Sequence, residues 1–448
     1  MRYLPHTEAD CRRMLAAIGV GSVEELFAQI PPGVRRERPL SLPPALSEWE
    51  LLAEMGRMAG ENAHPGTHDC FLGAGAYHHF IPTLVDQLAS RGEFLTAYTP
   101  YQPEISQGTL QAVFEYQTLL CQLTGMEVAN ASMYEGASAL AEAALMALRI
   151  ARGERVVVSR AVHPEYRRVL RTYLAPAGAE VAEVGFDESG ATDPAQAREA
   201  LGKPAAALIV QNPNFFGRVE DLGSLGALAR EGRALFVVGV AEALSLGLLT
   251  PPGEAGAEAV VGEGQSFGVP VSYGGPYLGI FATRQKHVRQ MPGRLAGETV
   301  DGEGRRGFVL TFATREQHIR RERATSNICT NEGLMALRAA IYLAVMGRRG
   351  LRDVALQNVQ RAAYLRERLT ALAGFSERFP GPVFNEFVLG LPAPAAVVNE
   401  ALAASGMVGG YDLGRDYPEL GDAMLVCATE LTPRAAMDRL AEALGAFR

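Results

Sequence analysis

Val261-Gly262-Glu263-Gly264-Gln265-Ser266-Phe267-Gly268, followed by Ser272-Tyr273-Gly274-Gly275-Pro276, reads as a strand, a turn and a Gly-rich loop. The residue at the turn is Gln265, and a carboxamide cannot form an imine. Lys203 and Lys286 are the only lysines in the chain, so no amine stands near this turn in sequence.

Working outward, short β-branched and apolar runs predict strands at 155–159, 180–184, 206–210, 234–240, 260–263 and 278–283. Helical patterns lie at 108–123 and 136–152, and between the strands at 165–174, 193–201 and 222–231. Near-continuous apolar strands alternating with helices predict an α/β fold: a mostly parallel central sheet with helices on both faces. Beyond Thr330 a helical region at 331–372 leads into strand 384–391, helix 394–405, strand 424–429 and helix 433–447, a small C-terminal α/β domain. Pro394 and Pro433 suit the first helical position, where a missing N–H is harmless. Residues 1–62 form a helical N-terminal arm of the kind that packs on its own chain or wraps a partner. Thr7 caps a helix through Ile18, Ser22 and Glu25 have capping-box spacing, 38–44 is Pro-rich and extended, and Ser47 caps the next helix. The expected division is 1–62, 63–330 and 331–448.

Composition narrows the function classes. A formal charge of -8 argues against nucleic acid as a main partner. No apolar run reaches ~18–20 residues, so no membrane span is expected. Met1-Arg2-Tyr3-Leu4-Pro5-His6 is followed by no apolar h-region, which leads us to expect a cytoplasmic protein. The five cysteines are scattered and lack CxxC spacing, against a disulfide framework or zinc site. His64 and His68 have HxxxH spacing, but Pro65-Gly66 between them breaks the shared helix face that makes this spacing a ligand pair, so no metal is expected. His78 and His79 either line a channel or pack in the interior.

Three features bear on chemistry. Asn130-Ala131-Ser132-Met133-Tyr134-Glu135-Gly136-Ala137-Ser138 opens a helix, whose first N–H groups can face an anion. Gln211-Asn212-Pro213-Asn214-Phe215-Phe216-Gly217 follows an apolar strand, as either a ligand-facing loop or a tight strand-to-helix turn. His163 precedes Pro164 at another strand-to-helix turn. With the Gln265 turn, their order resembles that of fold type I pyridoxal-phosphate (PLP) enzymes. That resemblance places a lysine at Gln265, a ring-stacking aromatic at His163, and a carboxylate at the end of the strand closing on Val240-Ala241. The strand ends without one; Glu242 comes just after, so a second cofactor element is missing or displaced.

Longer motifs make the resemblance specific. Phe71-Leu72-Gly73-Ala74-Gly75-Ala76-Tyr77-His78-His79, Tyr98-Thr99-Pro100-Tyr101-Gln102-Pro103-Glu104-Ile105-Ser106-Gln107-Gly108, Pro251-Pro252-Gly253-Glu254 and Arg320-Arg321-Glu322-Arg323-Ala324-Thr325-Ser326-Asn327-Ile328-Cys329-Thr330 closely resemble signatures of glycine decarboxylase, the P-protein of the glycine cleavage system. Length and Gln265 make the chain similar to the separate N-terminal (α) subunit of the two-chain bacterial form. The resemblance implies a partner subunit that carries the lysine and its PLP, in an α2β2 assembly. It also implies glycine as substrate, a lipoylated H-protein as acceptor of the aminomethyl group, and no covalent PLP on this chain.

On that reading Tyr98, Tyr101 and Gln102 reach the partner's site, where phenol and amide groups orient a carboxylate without titrating near neutrality. Thr325, Ser326 and Asn327 are expected near the partner's cofactor phosphate, with Arg320, Arg321 and Arg323 around them. Those arginines alternatively form surface pairs with Glu316 and Glu322. Two other classes compete: a catalytically inert scaffold of the same fold, and an autonomous enzyme binding PLP non-covalently.

Overall fold

A computed structural model describes residues 4–36 and 38–447. By internal contacts the chain divides into residues 1–62 and residues 63–448. The first unit holds helix Glu8–Ile18, a 3-10 turn Glu24–Phe27 and helix Glu48–Gly60. Thr7 and Asp10 close a capping box on the first helix, and Ser47 and Glu50 close one on the last. Ser22 and Glu25 do bond to one another, but the Glu25 carboxylate also takes the Gly21 N–H at 3.1 Å. The residues they introduce form one 3-10 turn rather than a helix.

The second unit is built on a seven-stranded sheet. Its strand order is Val128–Ala129, Gly279–Thr283, Ala259–Glu263, Leu235–Val240, Ala207–Gln211, Arg155–Ser159 and Glu180–Val184. The last five of these run parallel, and Gly279–Thr283 is antiparallel to both its neighbours. Ala207–Gln211 and Ala259–Glu263 are buried at every position, as strands covered on both faces must be. Helix Gly136–Ala151 is buried along most of its length, because its alanines and glycine let it lie close on the sheet. The chain reverses its direction of travel across the sheet between Arg155–Ser159 and Ala207–Gln211, the kind of switch point where α/β sheets bind ligands.

The helical stretch after Thr330 is Gly333–Thr370, two helices joined across a kink at Gly347 (φ +58°), a backbone state that glycine adopts without a Cβ clash. It leads to a four-stranded antiparallel sheet ordered Ser376–Glu377, Glu386–Gly390, Ala423–Cys427, Tyr411–Asp412, covered by helices Ala395–Ala404 and Arg434–Leu444. Pro394 and Pro433 stand at the cap position, one residue earlier than expected. Their ψ of 133° and 147° is extended, so the helix begins after them.

Among the elements that escaped the sequence reading is the antiparallel hairpin Leu295–Val300/Arg306–Thr311. Its signal was present in the Asp301-Gly302 turn between alternating runs. Two carboxamides of helix Gln107–Thr124 clamp it. Gln107 pairs with the N–H and C=O of Phe308 at 2.8 and 2.9 Å, and buried Gln117 pairs with those of Ala296 at 2.9 Å each. No helix of the described residues is long and apolar enough to cross a membrane.

Gln117→Ala removes the partners of both backbone polar groups of buried Ala296. It should destabilise the chain by about 1–3 kcal/mol, seen as a lower urea midpoint with unchanged m-value; an unchanged midpoint would mean that water replaces the amide.

Candidate functional site

His163, Gln211, Glu242 and Gln265 all stand at or just past the C-terminal ends of neighbouring parallel strands. All four are buried, and each is engaged by the chain itself. Gln265 is 2% exposed; its Oε1 accepts the Tyr77 N–H at 2.9 Å, and its Nε2 donates to the carbonyls of Tyr77 (3.0 Å) and Val269 (2.7 Å). The carboxamide is therefore a backbone partner for the segment around Tyr77. A lysine here would leave the Tyr77 N–H without its acceptor.

At the next strand the nearest acid, Glu242, is engaged by the chain itself. Glu242, two residues beyond Leu235–Val240, is a buried carboxylate that accepts the Leu244 N–H (2.9 Å), the Asn385 amide (2.9 Å) and the His79 Nε2 (2.8 Å). The other ring nitrogen of His79 meets Glu430 at 2.8 Å, and Glu430 also accepts from Asn358 and the Phe80 N–H. With a carboxylate on each nitrogen, both must donate, so the ring is an imidazolium. Burial opposes that charge, but the two carboxylates overcome it and raise the His79 pKa to about 10. His79 is thus packed, with a side chain only 2% exposed.

The helix start at Gly136 is not open to an anion as expected. The Gly136 N–H donates to Glu263 (3.1 Å) and the Ser138 N–H to Glu135 (2.7 Å), so carboxylates of the chain itself take these donors. Glu263 also accepts from the Gln265 and Leu278 N–H groups at 2.9 Å; burial nevertheless pushes its pKa up to about 7. His163 stacks on Tyr166 (4.9 Å) and meets Phe215 edge-on (4.8 Å). Its Nε2 donates to the Ala74 carbonyl at 2.8 Å and its Nδ1 accepts from Glu165, so burial keeps it neutral. The Asn-Pro-Asn loop is a firm turn whose Asn212 and Asn214 side chains bond to Glu220 and neighbouring backbone.

One segment, Phe71 to Phe80, connects these partners. Glu386 accepts from the Ala74 N–H at 2.6 Å and the Tyr77 hydroxyl at 2.8 Å, and burial lifts its pKa to about 7. Gly73 and Gly75 allow the close passage: a Cβ on Gly73 would lie 2.4 Å from Glu386 Oε1, and Gly75 has φ +103°. This pocket does not fit pyridoxal phosphate: it offers no amine, and its anion-binding N–H groups and its strand-end acid are already paired. Among the described residues no group of His, Cys, Asp or Glu is arranged to hold a metal.

The sequence-selected polar loop lies elsewhere. Tyr98 is 84% exposed and Tyr101 50%; Gln102 is exposed too. Tyr98, Thr99 and Pro100 line a cavity of about 280 Å³ with Thr330, Asn331 and Arg294. Thr325, Ser326 and Asn327 line a different cavity of about 420 Å³ with Tyr134, Ser138 and Glu142. There Ser326 donates to Glu142 at 2.7 Å. Arg320, Arg321 and Arg323 are exposed, and Arg323 pairs at 3.8 Å with its neighbour Glu322. Neither cavity includes Gln265. The sequence reading missed Arg294, which touches both segments: it lines the first cavity and also a small cleft with Thr325 and Ser326. Nothing in the order of residues marks one arginine among so many.

The architecture and the strand-end pocket define the class: the fold of type I PLP-dependent enzymes. A lysine-to-alanine variant of C-DES, with glycine covalently linked to its PLP cofactor, has this fold at TM-score 0.63 over 86% of this chain and 99% of its own, at 14% identity. The particular family is clear from sequence. The glycine cleavage system P-protein model matches residues 1–444. A probable glycine dehydrogenase (decarboxylating) subunit 1 of Desulfitobacterium hafniense is 52% identical over the whole of both chains. The crystal structure of a glycine decarboxylase (P-protein) in inhibitor-bound form superposes at TM-score 0.91 with 48% identity, over all of both chains. The chain belongs to the glycine cleavage system P-protein family.

The His79 cluster makes stability depend on pH with a definite sign. A histidine whose folded pKa is about 10 stabilises fully below its unfolded value near 6.5, and this contribution is lost as pH rises through 10. His79→Gln leaves two buried carboxylates without a cation and should destabilise by about 3–5 kcal/mol at pH 7. Its deficit against the wild type should shrink steadily from pH 7 to 8.5 in urea titrations. A deficit independent of pH would show that the ring is neutral.

Proposed function

We propose that this chain is the lysine-less subunit of a two-chain glycine decarboxylase, acting in the cytoplasm as part of an α2β2 assembly. The observation that carries the reading is Gln265: the position of the imine-forming lysine holds a carboxamide committed to Tyr77. Relatives matching end to end are named as subunit 1 of glycine dehydrogenase (decarboxylating), which supports a division of the enzyme between chains. The partner subunit carries the lysine and PLP, whose pyridinium supplies an electron sink. Glycine loses its carboxylate as CO₂, and the electron pair left on Cα attacks the oxidised lipoyl disulfide of the H-protein. One sulfur forms the new C–S bond, and the other leaves as a thiolate and takes a proton.

In this reading the chain contributes a wall rather than a cofactor site. Tyr98, Tyr101 and Gln102 project from an exposed loop and orient glycine or the cofactor in the partner's site through phenol and amide hydrogen bonds. Thr325, Ser326 and Asn327 stand in a separate hydroxyl-rich cavity and face the partner's cofactor phosphate.

An absorption spectrum of the purified chain with excess PLP should show no aldimine band. Adding the lysine-bearing subunit should produce the band together with glycine-dependent CO₂ release; a band from this chain alone would transfer the site to it, and no release on mixing would favour an inert scaffold. In the assembled enzyme, Tyr101→Phe and Gln102→Ala should each slow CO₂ release by about tenfold, the worth of one directed hydrogen bond, with assembly intact. Wild-type rates in both would remove the loop from the site. Gln265→Lys should leave the lone chain inactive, since Glu242 and the helix start remain occupied by His79 and Glu263.

A further inference from the structure

Arg294 is 4% exposed, yet its guanidinium serves three separate pieces of chain. Its Nη2 donates to the Tyr101 hydroxyl at 2.8 Å and also to the Cys329 carbonyl. Nη1 reaches Asn331 Oδ1 at 3.4 Å, and Nε lies 3.5 Å from a carboxylate oxygen of Glu316. The guanidinium carbon sits 5.2 Å from the centre of the Tyr101 ring, so it holds that ring by its face as well as by its hydroxyl. The backbone carbonyl of Arg294 accepts the Ala131 N–H at 2.8 Å, which anchors it to the loop before helix Gly136–Ala151.

We propose that Arg294 is a positioning residue for the glycine reaction: it fixes the Tyr101 phenol, and through it the Tyr98–Gln102 loop, against the segment that carries Thr325–Asn327. The proposal rests on the reading that this loop enters the partner's site. The physical case is one of order. Tyr101 is half exposed, and no other side-chain hydrogen bond to its hydroxyl exists among the described residues. A phenol on an exposed loop loses rotational freedom only when something rigid holds it, and a buried, multiply bonded guanidinium is such a support. Lysine cannot replace it, because one ammonium cannot meet the ring face, the hydroxyl and the Cys329 carbonyl together.

The test uses the enzyme assembled with its lysine-bearing partner, and the isolated chain for a second readout. In the assembled enzyme Tyr101→Phe, Arg294→Gln and their combination are compared. Each single variant should lower kcat about tenfold with glycine KM within about twofold, and the double variant should fall no further than either single, because the two side chains act as one unit. Arg294→Lys, the variant kept in reserve should the glutamine form fold poorly, should show the same lack of additivity. In the isolated chain, backbone amide hydrogen exchange over residues 97–103 should quicken about tenfold in the Arg294 variants. Wild-type exchange there, or losses that multiply to about a hundredfold in the double variant, overturns the proposal while leaving the loop in the site. Full turnover by Tyr101→Phe overturns the site reading and the proposal with it.

Discussion

Two carboxylates buried side by side repel one another, and in this chain the cation that lies between them is His79. Its ring is bonded on one side to Glu242, past the end of a central strand, and on the other to Glu430, past the end of a strand of the C-terminal sheet. Asn385 and Asn358 add donors from the C-terminal sheet region and the long helix. The imidazolium therefore pins the Phe71–Phe80 segment between the two sheets. Removing His79 leaves two buried carboxylates uncompensated, and removing either carboxylate leaves one ring N–H without its acceptor, which is why the arrangement holds as a unit.

The same segment explains how a fold built around a cofactor can do without one. Gln265 bonds its backbone, Glu242 bonds its histidine, His163 bonds its Ala74 carbonyl, and Glu263 and Glu135 take the helix-start donors. Each position that would otherwise face a ligand has a partner within the chain, so the pocket is a filled interior rather than a damaged site. The groups left facing outward are the polar loop at Tyr98–Gln102 and the hydroxyls around Thr325–Asn327. Arg294 stands between them.

The sequence reading recovered the alternating strands and helices because buried parallel strands write themselves as unbroken β-branched runs. It went wrong where the deciding contact lies far away in the chain. The helix start at Gly136 looked open to an anion: Glu135 beside it could have signalled a cap, but nothing local shows that Glu263, 127 residues on, takes the Gly136 N–H. The hairpin at Leu295–Thr311 left a turn signal at Asp301-Gly302, but the two glutamines that clamp it lie on a helix 201 and 179 residues earlier in the chain. Gly347 gave no hint of the kink, as glycine is tolerated inside helices as well as between them.

What the sequence by itself determined is the class of fold, the family and the absence of an amine at Gln265, because these depend on residue identity and on periodicities of two and 3.6. Only the tertiary structure decided what Gln265, Glu242, His79 and Glu263 do, and it singled out Arg294. Those roles depend on which buried charges and donors meet across separations of up to 351 residues. No local pattern carries that information, since a buried polar group is defined by its partner rather than by its neighbours in the chain.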